Sequence, residues 1–259
     1  MKVAIFAGGY GTRISEETVV RPKPMIDVGP RPILWHIMKI YAAHGHTDFV
    51  ILGGYRVDFI RHWLMNYRTS TSDFTIDLAS GNVEFRRTDA EPWRVTVLDT
   101  GLETMTGGRL KRARDLLGDE TFLLTYGDGV SDVPINDTIA FHRKMGVACT
   151  LTATVPPGRF GVLGLSGDGE RVVSFREKDS QDVGLINGGF FVCEPHVFDL
   201  IEGDATVWEQ EPMHRLVSEG QLASYRHFGF WQSMDTLRDK MVLDKHWESG
   251  EAPWKIWKD

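Results

Sequence analysis

The sequence predicts an α/β fold: a mixed, mostly parallel central sheet flanked by helices, with a more β-rich second half. Three observations carry this reading. Strand-like and helix-like patterns alternate from Met1 to Tyr67, as in a parallel sheet covered by helices. Phe49-Val50-Ile51-Leu52 is a continuous apolar run closed by Gly53-Gly54, the pattern of a strand buried on both faces. From Pro156 to Cys193 short strands and turns alternate without helical spacing.

The elements follow in order. Met1 to Ala7 is apolar and strand-like, and Gly8, Gly9 and Gly11 interrupt it. From Pro32, Leu34, Ile37, Met38 and Tyr41 fall at i, i+3, i+4 and i+7, with Gly45 as a stop. After the Phe49–Leu52 strand, Ile60, Trp63, Leu64 and Tyr67 keep helical spacing again. Val95–Leu98 reads as a strand, and Leu110, Ala113 and Leu117 as a short helix. Thr121–Thr125 is a further strand, ending where Tyr126-Gly127-Asp128-Gly129 takes the chain out of a sheet. Val147–Val155, Val172–Phe175 and Phe190–Val192 are strands, and Gly167-Asp168-Gly169 is a turn. Helical patterns return near Glu209–Gly220 and Asp235–Trp247. No repeat, low-complexity segment or long linker interrupts the chain, so residues 1–259 read as a single domain.

Composition narrows the function classes. The 259 residues are 42% apolar and 25% charged, as in soluble globular proteins. Lys and Arg number 29 against 36 Asp and Glu, a net charge of −7, which disfavours nucleic acid and anionic membranes as partners. No apolar run approaches the roughly 18–20 residues of a membrane span, and the N-terminal apolar stretch is too short for a signal peptide. The two cysteines, Cys149 and Cys193, read as buried free thiols in a reducing compartment, hence a cytoplasmic location.

Two motifs carry chemistry. Ala7-Gly8-Gly9-Tyr10-Gly11-Thr12-Arg13 follows a strand. Glycines there let backbone N–H groups face a phosphate, and Arg13 adds a guanidinium fork. A dinucleotide fingerprint would need a third glycine where Ile14 stands, and a P-loop would need Gly-Lys-Ser/Thr. Pro22-Lys23-Pro24 places a lysine between two φ-restricted residues, on a stiff, extended stretch suited to meeting a phosphate at a fixed place.

These residues, with Met25, resemble the signature of sugar-1-phosphate nucleotidyltransferases. Glu91-Pro92-Trp93, Met105-Thr106-Gly107-Gly108-Arg109, Tyr126-Gly127-Asp128-Gly129, Pro156-Pro157-Gly158-Arg159-Phe160-Gly161, Ile186-Asn187-Gly188-Gly189, Trp208-Glu209-Gln210-Glu211-Pro212 and Gly229-Phe230-Trp231-Gln232 are similar to the glucose-1-phosphate cytidylyltransferase branch. The resemblance spans essentially the whole chain. It implies a Rossmann-like nucleotide-diphospho-sugar transferase fold with a β-rich sugar-binding half. It implies attack of a sugar 1-phosphate on the α-phosphorus of CTP, giving CDP-glucose and pyrophosphate, with Mg2+ as cofactor and a homo-oligomeric assembly.

The site residues follow by the same carry-over. Ala7, Gly8, Gly9, Gly11, Thr12, Thr106, Arg109, Gly127 and Asp128 would meet the nucleotide, and Arg13 and Lys23 would hold its phosphates during catalysis. Glu177, Lys178, Asn187 and Gly188 would bind the sugar phosphate, and Asp128 and Asp235 would hold the metal. Several have a plainer alternative: the glycines as a plain strand-to-helix turn, Lys23 as an exposed loop lysine, Asp128 as a turn aspartate, Asp235 as a helix N-cap and Asn187 as a β-turn residue; Lys111, Arg112 and Arg114, next to Arg109, read as a solvated helix face. Asp132 is a nearby carboxylate given no role, and Trp93, Trp208 and Trp231 read better as packing residues than as stacking platforms. Three positions depart from the family pattern: Arg21 replaces a lysine, Asp179 a proline beside the sugar site, and Ser233 a proline near the C-terminus. They leave the reaction type in place and the sugar identity open; the alternative reading is the same chemistry with UTP, dTTP or another phosphorylated acceptor.

Overall fold

The computed structural model describes residues 1–156, 162–165, 172–176 and 184–258. The expected turn at Gly167–Gly169 lies outside the described residues.

The sheet is built on β1 (Lys2–Ala7), followed by α1 (Ile33–Ala43), β2 (Asp48–Gly53), α2 (Val57–Ser70) and β3 (Arg94–Asp99). Then come α3 (Thr106–Arg112), β4 (Phe122–Tyr126), α4 (Ile135–Met145) and β5 (Cys149–Thr154). The rest comprises β6 (Ile186–Asn187), β7 (Phe191–Cys193), α5 (Glu211–Ser218), β8 (Leu222–His227) and α6 (Leu237–Glu248). β1 pairs in parallel with β2 on one side and β4 on the other, and β3 extends the parallel run beyond β2. β7 joins β4 antiparallel, and β5 joins β7 antiparallel. β8 lies parallel along the whole of β5. β6 and β7 therefore share the other side of β5, as two pieces of one strand interrupted at Gly188–Phe190. The sheet is mixed and mostly parallel, as expected.

Period-two alternation explains its thickness. Val3 and Ile5 join one hydrophobic core while Ala4 and Phe6 join a second on the opposite face. Phe49 with Ile51, and Val50 with Leu52, divide in the same way. A strand buried on both faces must read as continuous apolar sequence, which is what made β1 and β2 legible. α1 is more deeply buried than its stripe implies. Leu34, Ile37, Met38 and Tyr41 face the core as expected, but His36 is also fully buried. Trp247, Trp254 and Trp257, from the C-terminal segment, pack around that imidazole. α1 stops at Gly45, whose φ of +87° suits glycine, with His46 N–H donating to Tyr41 O at 3.0 Å.

Some elements differ from expectation. The stretch around Leu110–Leu117 is two short helices, α3 and Arg114–Leu117, because Ala113 leaves helical geometry at φ −93° and ψ 1°. The hairpin Ser72–Ile76/Val83–Thr88, helix α4 and strand β8 carried no pattern strong enough to read. The hairpin is largely exposed, so no burial pressure imposes alternation on it. Cys149 and Cys193, distant in sequence, are register partners on β5 and β7. Both are buried free thiols, with sulfurs 3.7 Å apart. Among the described residues no helix is long and apolar enough to cross a membrane.

Candidate active site

A cavity of about 420 Å³ opens at the carboxyl ends of β1 and β4. Parallel α/β sheets bind ligands at this edge, because the strand-to-helix loops converge there. Its wall includes the Ala7–Arg13 loop, Lys23, the Leu102–Thr106 loop, Arg109, Tyr126 to Asp128, and Asp235.

Charge is concentrated at one end. The Lys23 ammonium donates to Asp128 Oδ2 at 2.6 Å and to Asp235 Oδ1 at 2.8 Å. Arg13 reaches Asp235 Oδ1 at 3.3 Å while its side chain stays 76% exposed to the cavity mouth. The acids that sequence alone could not relate therefore converge on one cation. Burial, the largest single influence, would pull the Lys23 pKa down, but the two carboxylates together hold it above its ordinary value. Burial would raise the Asp235 carboxyl, yet its hydrogen bond and ion pair with Lys23, aided by Arg13, hold it below the usual range.

Local structure explains how these groups arrive. Lys23 opens a 3-10 turn, Lys23–Met25, and does not lie on an extended stretch. Pro22 is extended, and proline is tolerated early in such a turn because no N–H is required of it there. Stiffness comes from Met25 N–H to Pro22 O at 2.8 Å and Ile26 N–H to Lys23 O at 3.1 Å. Asp235 is not the N-cap of α6. Thr236 takes that position, accepting from Asp239 N–H while Asp239 accepts from Thr236 N–H at 2.9 Å, a reciprocal capping box. With the helix end satisfied by Thr236, Asp235 is left to face Lys23.

The two carboxylates suit a hard divalent cation. Magnesium is commonly held by one or two carboxylates, with water and substrate phosphates completing its shell. The shared ammonium shows that Asp128 and Asp235 already point at a common positive centre. Among the described residues no group of three or more His, Cys, Asp or Glu side chains forms a complete metal cage.

The glycine loop serves several purposes. A Cβ on Gly8 would lie 2.3 Å from Arg109 Cζ, so Gly8 is small to admit that guanidinium. A Cβ on Gly9 would meet nothing within 4 Å, and its surroundings are open. Gly11 adopts φ +65°, the left-handed region that glycine occupies without strain. Arg109 lines the cavity, but its two terminal nitrogens are engaged by the protein. It donates to Gly53 O, Thr100 Oγ1 and Gly101 O through Nη1, and to Gly8 O and Leu102 O through Nη2, all within 2.7–3.2 Å. It thereby ties the glycine loop to the Leu102 loop, and burial lowers its pKa.

The remaining assignments sort as follows. Thr12 and Gly127 line the cavity beside Arg13 and Asp128. Thr106 lines it too, and its hydroxyl donates to Glu209 Oε2 at 2.7 Å. Asn187 and Gly188 border the cavity without lining it: Asn187 Oδ1 accepts from Gly189 N–H at 2.9 Å, as a turn residue would, and Nδ2 donates to Tyr126 Oη at 3.3 Å. Gly188 O accepts from Trp231 Nε1 at 2.8 Å. Glu177 and Lys178 lie outside the described residues. The helix-face reading of the basic run holds for Arg112 and Arg114, which are exposed and pair at the surface with Asp204 and Asp199, while Lys111 is half-buried and donates to Ile201 O and Glu202 O. Asp132 is engaged by His227 at 2.8 Å. Trp208 is fully buried and Trp93 packs among Trp35, Phe49 and Tyr67, which fits packing roles. Sequence reasoning gave no role to Tyr10, which donates to Glu103 across the cavity mouth, nor to Tyr126 and Glu209. Tyr126 and Glu209 sit inside quoted motifs, and nothing in their spacing announces that they meet.

Comparison with known proteins agrees with this geometry. The "Nucleotidyl transferase" family model matches residues 2–235. Glucose-1-phosphate cytidylyltransferase of Salmonella typhi is 54% identical over 258 residues, covering 99% of this chain and 100% of the relative. A probable glucose-1-phosphate cytidylyltransferase of Bacillus subtilis (strain 168) is 43% identical over the same coverage. Among solved structures, HddC from Yersinia pseudotuberculosis superposes with a TM-score of 0.70 at 19% identity, covering 95% of this chain and 99% of that one, which speaks for the fold alone. Lys23 and two distant carboxylates meeting beside a glycine loop, on a sheet shared with these proteins and along a chain matched almost end to end, place this protein in the nucleotidyl transferase family.

Proposed function

We propose that the protein is a glucose-1-phosphate cytidylyltransferase, transferring a cytidylyl group from CTP to α-D-glucose 1-phosphate and releasing CDP-glucose and pyrophosphate. The observation that carries this reading is the Lys23–Asp128–Asp235 cluster at the open end of the glycine loop. The choice of nucleotide and sugar is supported by the name of the relative that shares 54% of its residues.

The chemistry needs little proton transfer. A phosphate monoester has a second pKa near about 6, so the attacking oxygen is already mostly ionised at neutral pH. The barrier lies in bringing two anions together and in the charge that builds on the departing pyrophosphate. An ammonium has three N–H donors, and the carboxylates occupy two of those of Lys23, so one remains for a phosphate oxygen. Arg13, exposed at the mouth, offers a fork for a second phosphate. The open side of Gly9 lets a phosphate approach the backbone. Asp128 and Asp235 would hold Mg2+, which would neutralise phosphate charge when bound. Glu177, Lys178 and Asn187 are the proposed sugar-phosphate contacts. A cytoplasmic homo-oligomer completes the reading.

The deciding experiment is pyrophosphate release measured over a matrix of nucleoside triphosphates and sugar 1-phosphates, with and without magnesium. CTP with glucose 1-phosphate should give the highest kcat/KM, and chelation should abolish it. Preference for UTP or dTTP, or for another acceptor, would replace this assignment by the same chemistry on other substrates.

A further inference from the structure

Glu209 makes contacts that neither fold nor charge balance explains. It lies in the segment leading into α5, half-buried, and no ion pair involves it among the described residues. Its two carboxylate oxygens each receive one hydroxyl. Oε2 accepts from Thr106, the first residue of α3 and part of the cavity wall, at 2.7 Å. Oε1 accepts from Tyr126, two residues before Asp128, at 2.7 Å.

The chemistry of a carboxylate gives these bonds a direction. An ionised carboxylate accepts only, so both hydroxyls must donate to it. Thr106 Oγ1 is then left as an acceptor, and it receives Trp208 N–H at 2.9 Å. Tyr126 Oη is likewise left as an acceptor, and it receives Asn187 Nδ2–H at 3.3 Å. That fixes the sense of the Asn187 amide, because its Oδ1 is already bound to Gly189 N–H. Among the described residues, one amide hydrogen of Asn187 has no partner and is left for a ligand. One carboxylate thus sets a hydroxyl on the nucleotide side and, through a tyrosine, an amide on the sugar side.

We propose that Glu209 is a positioning residue that orients Thr106 on the nucleotide wall and, through Tyr126, Asn187 on the sugar-phosphate wall. The sugar-side arm rests on the reading of Asn187 given above. Loss of the carboxylate frees both hydroxyls to rotate, so each wall loses a fixed donor–acceptor sense while the metal and phosphate cluster stays in place.

Two double-mutant cycles test this with both substrates varied. Glu209→Ala should raise the KM for glucose 1-phosphate about tenfold, the loss expected for a hydrogen bond to a charged group. It should raise the KM for CTP by the same factor as Thr106→Val. Glu209→Ala/Asn187→Ala should be no worse than Asn187→Ala on the sugar phosphate, and Glu209→Ala/Thr106→Val no worse than Thr106→Val on CTP. Glu209→Gln, which keeps one acceptor oxygen in the same shape, should fall between wild type and Glu209→Ala, and it carries the same cycles if the alanine variant does not fold. Multiplicative effects in either cycle overturn the proposal for that arm. A silent Asn187→Ala overturns the sugar-site reading, and the Thr106 cycle then decides Glu209 alone.

Discussion

The two glycine turns beside the cavity are built to opposite ends. In the Ala7–Arg13 loop, Gly8 yields its space to Arg109, whereas Gly9 faces emptiness and Arg13 reaches outward. In the Asn187–Phe190 turn both glycines are packed. A Cβ on Gly188 would meet Thr154 Cγ2 at 2.9 Å, and one on Gly189 would meet the Tyr126 ring at 3.0 Å from a backbone at φ +77°. The first turn exposes backbone to whatever enters, and the second clamps a single side chain, Asn187. Glycine content alone is therefore no guide to phosphate binding; what surrounds the missing Cβ decides.

The contrast can be broken most decisively at the cation beside the open turn. Lys23→Ala should lower kcat by about a hundredfold to a thousandfold, the cost of losing one preorganised donor to developing charge, with the circular dichroism spectrum unchanged. Retained turnover would mean the open turn does not face the reacting phosphates. Next comes Gly8→Ala, which forces the buried guanidinium aside. It should destabilise the fold by about 1–3 kcal/mol in urea melts, whereas Gly9→Ala should stay within about 0.5 kcal/mol and raise the KM for CTP. Equal stabilities for the two variants would erase the distinction between a packed and an open glycine. At the clamped turn, Asn187→Ala should raise the KM for glucose 1-phosphate more than that for CTP, and the reverse split would move Asn187 to the other substrate.

The one variant expected to leave catalysis untouched is remote from both turns and serves as a control on them. His36 is buried, bonded to Val28 O at 2.9 Å, and burial pulls its pKa down to about 4. Its unfolded value is 6.5, so between those values the unfolded chain binds the extra proton. Stability from this residue is complete above that window and drains as pH falls through it. Urea midpoints should decline on acidification across that range, and His36→Gln should flatten the slope without altering kcat at neutral pH.

How much of this was legible follows from burial. β1 and β2 declared themselves because two cores claim them from opposite faces, which leaves little room for anything but apolar residues, and α1 because its apolar stripe packs into one of those cores. The hairpin Ser72–Ile76/Val83–Thr88 lies on the surface and its sequence answers to no such demand. At the site, Lys23 drew attention through its flanking prolines, whereas Asp128 and Asp235 were named through resemblance to a family, and no spacing rule links the three positions. The capping role of Thr236 was readable in principle from Thr236 and Asp239 at capping-box spacing, and it would have released Asp235 from the N-cap alternative. Arg109 was named for the nucleotide, but its partners are mainly backbone carbonyls, which carry no letter in a sequence.

The separation of the charged trio has a bearing on synthesis. Lys23 waits for one acid 105 positions later and for the other 212 positions later. Closing loops of that size is slow relative to local helix formation. A growing polypeptide on the ribosome therefore holds an ammonium matched at most by Asp128, and no finished pocket, until the segment carrying Asp235 has emerged and docked. A ligand that needs the whole trio binds the folded form alone, so its binding opposes unfolding and gives no shelter to forms in which Asp235 has not docked.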